Sequence, residues 1–147
     1  MKITRNILII LLVFLGISAM GGGSLFIIAP SGTLFGMNPY LLKDSPFQSF
    51  LVPGIILFSI LGLAPLLLIY ALVHKPEFKL AERINFFRDM HWAWSFSLYI
   101  AFALIIWIQL EMVFLRAVHW LHTFYMFYAV TIIFVCLLPT LRSCYKK

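Results

Sequence analysis

The residues best suited to chemistry in this sequence form one polar cluster between two apolar stretches. It combines amide, acidic, basic and imidazole side chains: Gln109, Glu111, Arg116, His119 and His122. His119 and His122 are three positions apart, so they share one face if the segment is helical. With a carboxylate from the preceding helix they would form a three-ligand metal site that is open to solvent. A proton or small-solute relay is the other chemistry that these groups could support.

A structural interpretation of the same cluster is simpler, and it is the one that we adopt as the prediction. Ionisable and aromatic side chains at the edge of a membrane gather in the headgroup layer. There Glu111 would pair with Arg116, and the histidines would lie beside Trp120. The sequence therefore predicts a polar collar at the outer membrane face, with the metal site and the relay as alternatives.

The histidines of this chain do not suit a haem held between facing helices. His74 and His91 lie at one predicted membrane edge and His119 and His122 at the other, so none is at mid-span. The sequence also lacks a Ser-His-Asp pattern, a phosphate-binding Gly-rich loop with lysine, and carboxylates at glycosidase-like spacing. We expect no enzyme, no cofactor and no resident metal, and we keep a metal- or haem-binding redox protein as an alternative.

Long apolar stretches make up most of the sequence. Of the 147 residues, 63% are hydrophobic and 11% are charged, whereas soluble domains are about half apolar and a quarter charged. Four stretches reach the roughly 20 residues that a helix needs to cross a bilayer. The sequence therefore predicts an all-α protein, with four transmembrane helices in an antiparallel bundle. This single domain covers residues 1–147, with spans over about 7–29, 50–73, 92–110 and 123–141.

The distribution of basic residues predicts the orientation of these spans. Nine lysines and arginines fall on one side, and only Lys43 and Arg116 fall on the other. Because cytoplasmic segments carry the excess of Lys and Arg, both termini and the middle loop should be cytoplasmic. The net charge of +6 then indicates attraction to anionic headgroups on that side. We expect no nucleic-acid partner, since no basic face is interleaved with exposed aromatic residues.

Glycines and prolines mark where the first two spans could pack closely or bend. Gly21, Gly22 and Gly23 would let a neighbouring backbone approach, or would let the first helix unwind around a transporter-like cavity. Pro53 and Pro65 interrupt the second span, and Pro65 should kink it because proline cannot donate the helical hydrogen bond. A secretory signal peptide is the competing interpretation of the first span, but apolar residues resume after the glycines.

The segments on either side of the second span also have predicted structures. Turn-forming residues from Pro30 to Ser49, with a capping-box pattern at Ser45, predict an ordered outer loop. From His74 to His91, apolar residues at a spacing of three predict a short amphipathic helix on anionic lipid. Trp92 and Trp94 then mark the inner edge of the third span.

Several short motifs follow one another along the chain: Pro30-Ser31-Gly32, Ser45-Pro46-Phe47, Pro53-Gly54-Ile55-Ile56-Leu57-Phe58, Trp92-Ala93-Trp94 and Trp107-Ile108-Gln109. Over about residues 16–141, this order resembles a group of small, uncharacterised bacterial integral membrane proteins with four predicted helices. The resemblance implies a bacterial cytoplasmic membrane and an ordered outer loop, and it implies no activity. Gln109 belongs to the pattern, whereas Glu111, His119 and His122 do not.

The function predicted from these patterns is that of a non-enzymatic accessory or scaffolding component of the membrane. Its partners would be lipid, another membrane protein or a second copy of the chain. The alternative is a small transporter or channel-like subunit. That alternative requires an oligomer, because four helices filled with Phe, Leu and Ile leave no obvious pore.

Overall fold

The computed structural model describes residues 2–28, 51–115 and 120–146. Of these residues, 88% are helical and none lies in a strand, which confirms the all-α prediction for the described part of the chain. The predicted outer loop, residues 30–49, lies outside it. The elements are α1 (Lys2–Ile28), α2 (Leu51–Ile56), a π-helical segment (Leu57–Leu63), α3 (Ala64–His74), α4 (Lys79–Arg83), α5 (Trp92–Leu115), α6 (Trp120–Leu137) and α7 (Pro139–Tyr145).

Three helical stretches are long and apolar enough to cross a membrane: Ile3–Leu25, Leu51–His74 and Trp92–Val113. A fourth span exists if His122–Leu137 and Pro139–Tyr145 are counted together, although they meet at a bend of 66°. Pro139 accounts for the bend, because the residue before a proline is pushed out of the helical region. Leu138 accordingly has an extended backbone, with φ −61° and ψ 135°.

The helices carry apolar side chains on their outer surfaces as well as in the core. In α1, Leu8 and Leu12 are fully buried, whereas Ile10 is 67% exposed. In α6, Ile132 is fully buried and Phe134 is 65% exposed. A helix that is apolar on every side belongs in a large core or in lipid. These surfaces make the described helices compatible with insertion into a membrane.

Two glycines allow α1 to pack directly on the second span. A Cβ at Gly23 would lie 2.7 Å from the Gly54 carbonyl oxygen, and one at Gly62 would lie 2.6 Å from the Met20 Cγ. As residue numbers rise along α1, those of its partners fall, so the two spans run antiparallel. The two backbones approach so closely because neither glycine carries a side chain.

The second span widens in the turns before Pro65. The Ala64 amide donates to the Ser59 carbonyl, five residues back, as in a π-helix. Ser59 Oγ also donates to the Ile55 carbonyl at 2.7 Å, a side-chain bond that tends to bend a helix. Pro65 lies in the first turn of α3, where a missing N–H is tolerated. Pro65, where a kink was predicted, thus follows a π-helical segment, and Pro53 lies within α2.

Helices α5 and α6 are joined at both ends. Near one end, the Trp94 indole Nε1 donates to the Cys136 carbonyl oxygen at 2.8 Å. Near the other, Glu111 Oε2 lies 3.1 Å from His122 Nε2. These contacts fix an antiparallel pair. Helix α6 also meets α1, because the Tyr128 hydroxyl donates to the Leu11 carbonyl oxygen.

Candidate functional site

The structure describes three residues of the polar cluster predicted between the third and fourth spans: Gln109, Glu111 and His122. Glu111 on α5 faces His122 on α6 at 3.1 Å, and His122 is buried. Gln109 is exposed on α5. Arg116 and His119 lie outside the described residues, so the predicted Glu111–Arg116 pair and the His119–His122 pair do as well. The structure brings together one carboxylate and one imidazole.

That pair holds two helices together and offers limited chemistry on its own. A carboxylate accepts a hydrogen bond from a neutral imidazole and forms an ion pair with a protonated one. Among the described residues, no group of three or more His, Cys, Asp or Glu side chains could hold a metal ion. The contact is therefore a link between α5 and α6 near the end of a candidate span.

The glycines of the first span differ in their surroundings. Helix α1 continues without a break through Gly21, Gly22 and Gly23. A Cβ at Gly21 would meet no heavy atom within 4 Å, and one at Gly22 would make an ordinary 3.5 Å contact with Leu57. Gly23 alone of these three lies against a neighbouring backbone, and it is buried.

At the opposite end of α5, a second polar region is held in place by a buried asparagine. The Asn85 side chain is fully buried. Its Oδ1 accepts from the Phe87 amide at 3.0 Å and from Ser95 Oγ at 2.5 Å, and its Nδ2 donates to the Met90 carbonyl at 2.8 Å. A buried amide with partners on both its oxygen and its nitrogen fixes the chain around it. Asn85 thus orders the connection between α4 and α5.

The carboxyl end of α7 docks onto the same region. The His91 amide donates to the Tyr145 carbonyl at 2.7 Å, and the Tyr145 hydroxyl donates to the Leu72 carbonyl at 2.7 Å. Lys75 donates from Nζ to the Cys144 carbonyl at 2.5 Å, and the same Nζ lies 4.9 Å from the centre of the Tyr145 ring. Residues 75–91 and α7 therefore form one hydrogen-bonded unit.

The start of α1 reaches this unit as well. Thr4 Oγ1 donates to Thr140 Oγ1 at 3.1 Å, although the two residues are 136 positions apart. We name the assembly of the first turns of α1, residues 75–91 and α7 the basic end of the protein. It gathers three separate parts of the sequence on one side of the helices.

The predicted amphipathic helix in this region is short. Only Lys79–Arg83 is helical, and beyond it the Tyr99 hydroxyl donates to the Ile84 carbonyl at 2.8 Å and accepts from the Phe86 amide at 3.0 Å. These bonds replace the helical ones that would continue α4. Ala81 is buried, whereas Phe86 is 82% exposed. The segment therefore presents apolar side chains outward from an irregular backbone.

A depression of about 640 Å³ opens at the basic end beside α4. Its lining is positively charged, because the lysines and arginines outnumber the two glutamates. Its floor and rim are formed by Lys75, Glu77, Phe78, Lys79, Glu82, Arg83, Arg88 and His91. We call this feature the basic depression. It could hold an anion at its arginines and lysines.

His91 is a partly buried imidazole at the edge of this region. Its Nδ1 accepts from the Ala93 amide at 3.1 Å, in the first turn of α5, so that nitrogen carries no proton. Burial lowers the pKa of His91 below its ordinary value of 6.5, although nearby groups such as the Pro76 carbonyl and Glu82 oppose the shift. The folded state therefore prefers the neutral imidazole.

The stability contributed by His91 should be present above about pH 6.5 and should be lost as the pH falls through the lowered pKa, because the unfolded chain then binds more protons. Asparagine at this position can also accept from Ala93 but does not titrate. In detergent, the melting temperature of the His91→Asn variant should fall less between about pH 8 and pH 5 than that of the wild type. Equal losses in the two proteins would contradict this role.

Comparison with known proteins gives no function for these sites. No family model, curated protein or solved structure matches the chain. The residues of the basic end and the Glu111–His122 pair are therefore the features from which a function can be proposed. The buried amide of Asn85 was not predicted from the sequence, although a single amide between apolar residues is a signal for one. The docking of Tyr145 was not predicted either, and the sequence around it carries no local signal for that contact.

Proposed function

We propose that this chain is a four-span protein of the bacterial cytoplasmic membrane with both termini in the cytoplasm. It acts as a non-enzymatic accessory or scaffolding component, through contacts with lipid and with other membrane proteins. Its apolar outer surfaces support the membrane location. Its basic end supports the orientation, because lysine and arginine accumulate on the cytoplasmic side of membrane proteins.

The observation that carries the proposal is the meeting of three chain segments at the basic end. Thr4 contacts Thr140, Lys75 contacts Cys144, and the His91 amide bonds to Tyr145. A chain whose beginning, middle and final helix meet on one side crosses the membrane an even number of times between those points. In this arrangement, α6 and α7 together return the chain to its starting side.

Reporter fusions test this topology. Alkaline phosphatase fused after Arg83 or after Lys147 should be inactive, because both positions would be cytoplasmic, and green fluorescent protein at the same positions should fluoresce. As the matched control, phosphatase fused after Gly36 should be active on the outer side. Phosphatase activity at only one of the Arg83 and Lys147 fusions would overturn the proposal, because the two positions would then lie on opposite sides. Recovery of the wild-type chain in a detergent-free supernatant would overturn it as well.

The accessory role is tested separately by cross-linking in intact membranes followed by purification. A stable complex with a different membrane protein is the expected result. Recovery of a homo-oligomer with a water-filled passage would instead favour a transporter or channel-like subunit and would contradict the accessory role.

A further inference from the structure

We infer that the basic depression is a binding site for the phosphate headgroup of an anionic phospholipid such as phosphatidylglycerol. The inference rests on the proposed membrane function and goes beyond it, because it assigns lipid recognition to one set of side chains. General attraction of a positive surface to a membrane requires no such site.

The first support is the state of the basic side chains around the depression. Lys79, Arg83 and Arg88 are exposed, and none of them forms an ion pair with a carboxylate of the described residues. Arginine binds phosphate through two parallel N–H groups, and lysine adds a point charge. Three cations around one concave surface therefore supply what a phosphodiester needs.

The second support is that the walls of the depression are held in place before any ligand binds. Lys75 is fixed by its bond to the Cys144 carbonyl, and His91 is fixed through its amide to Tyr145. Asn85, buried two residues after the end of α4, holds the Met90 carbonyl through its Nδ2. A site that is already ordered loses less conformational entropy when it binds.

The third support distinguishes a lipid from a soluble phosphate compound. Leu80, Ile84 and Phe86 project from the same segment and are 60%, 54% and 82% exposed. Such side chains next to cations are typical of surfaces that lie in the headgroup layer and dip into the acyl chains. A site for a water-soluble phosphate has no need of an apolar border. Phe78, which lines the depression, packs its ring edge-on against Trp92, the first residue of a candidate span, with the ring centres 6.0 Å apart.

The test compares lipid retention by the protein in nanodiscs made of phosphatidylcholine and phosphatidylglycerol. After release into mild detergent, native mass spectrometry should find phosphatidylglycerol retained in preference to phosphatidylcholine. The Arg83→Gln and Arg88→Gln variants should each lose about tenfold or more in that preference, since a hydrogen bond to a charged group contributes roughly that factor. Circular dichroism and gel filtration of each variant verify the fold.

The matched control is Arg142→Gln, because Arg142 is an exposed arginine on α7 that does not line the depression. It should retain phosphatidylglycerol as the wild type does. Equal losses in the Arg142, Arg83 and Arg88 variants would overturn the site and leave only general attraction. The Arg83→Lys and Arg88→Lys variants, which keep the charge, should recover part of the preference.

Two further results would also reject the site. One is tight binding of inorganic phosphate by the protein in neutral nanodiscs, together with displacement of phosphatidylglycerol by phosphate in the mixed nanodiscs, which would indicate a soluble ligand. The other is an inserted protein with no preference for phosphatidylglycerol, which would reject the site while leaving the membrane function intact. A chain that does not insert into phosphatidylcholine bilayers at all would instead reject the proposed function.

Discussion

Replacement of Gly23 by alanine is expected to destabilise the protein by about 1–3 kcal/mol. The added Cβ would lie 2.7 Å from the Gly54 carbonyl oxygen and 2.8 Å from the Phe58 amide nitrogen. Both are backbone atoms of the second span and cannot rotate away as a side chain can. The two spans must therefore separate, with loss of packing along their contact. Thermal unfolding in mild detergent measures the change.

Gly21→Ala is the matched control for this prediction. It makes the same chemical change two residues away, where a Cβ would meet no heavy atom within 4 Å. Because alanine favours a helix over glycine by up to about 1 kcal/mol, this variant should be neutral or slightly stabilised. Equal melting temperatures for the two variants would show that the contact between α1 and the second span is not as close as described.

The Asn85→Ala variant is expected to lose about 2–3 kcal/mol of stability and the order of the basic end. The change removes the acceptor of the Phe87 amide and of Ser95 Oγ, and the donor to the Met90 carbonyl. Leaving such groups buried without partners is the main cost, because water cannot reach them. Chemical denaturation in detergent measures the loss, and limited proteolysis should cleave residues 75–91 faster.

The Ser95→Ala variant removes one of these bonds and keeps the others. It should cost about 1 kcal/mol, the usual net value of a single hydrogen bond. Equal stability of the Asn85→Ala and Ser95→Ala variants would show that Asn85 is not the centre of the network. The Asn85→Asp variant is a second comparison, since it keeps an acceptor for Phe87 and Ser95 but loses the donor to Met90.

The sequence was sufficient to predict the features that depend on local composition. Long apolar runs without charges predicted helices, and the described residues are helical and contain three candidate spans. These features follow from backbone hydrogen bonding, which each segment satisfies within itself.

Features that depend on how helices pair could not be predicted in the same way. The contact between Glu111 and His122 depends on how α5 is aligned along α6. The apolar pattern of the sequence does not define that alignment, because both helices are apolar on every side. The length of α4 depended on Tyr99, fifteen residues after Ile84, which bonds the carbonyl of Ile84. Tertiary contacts thus overrode the helical pattern of the segment after His74.

The π-helical turn at Leu57–Leu63 holds one residue more than an α-helical turn does. Removal of one residue there would restore a regular α-helix, and the turns that follow would keep the faces that they now present. Removal of a residue from the regular helix after it, such as Leu66, would instead rotate everything that follows by about 100° about the helix axis. Leu68, now buried, would then take the position of Leu67, which is 64% exposed. Single-residue deletions should therefore be tolerated better within Leu57–Leu63 than in α3.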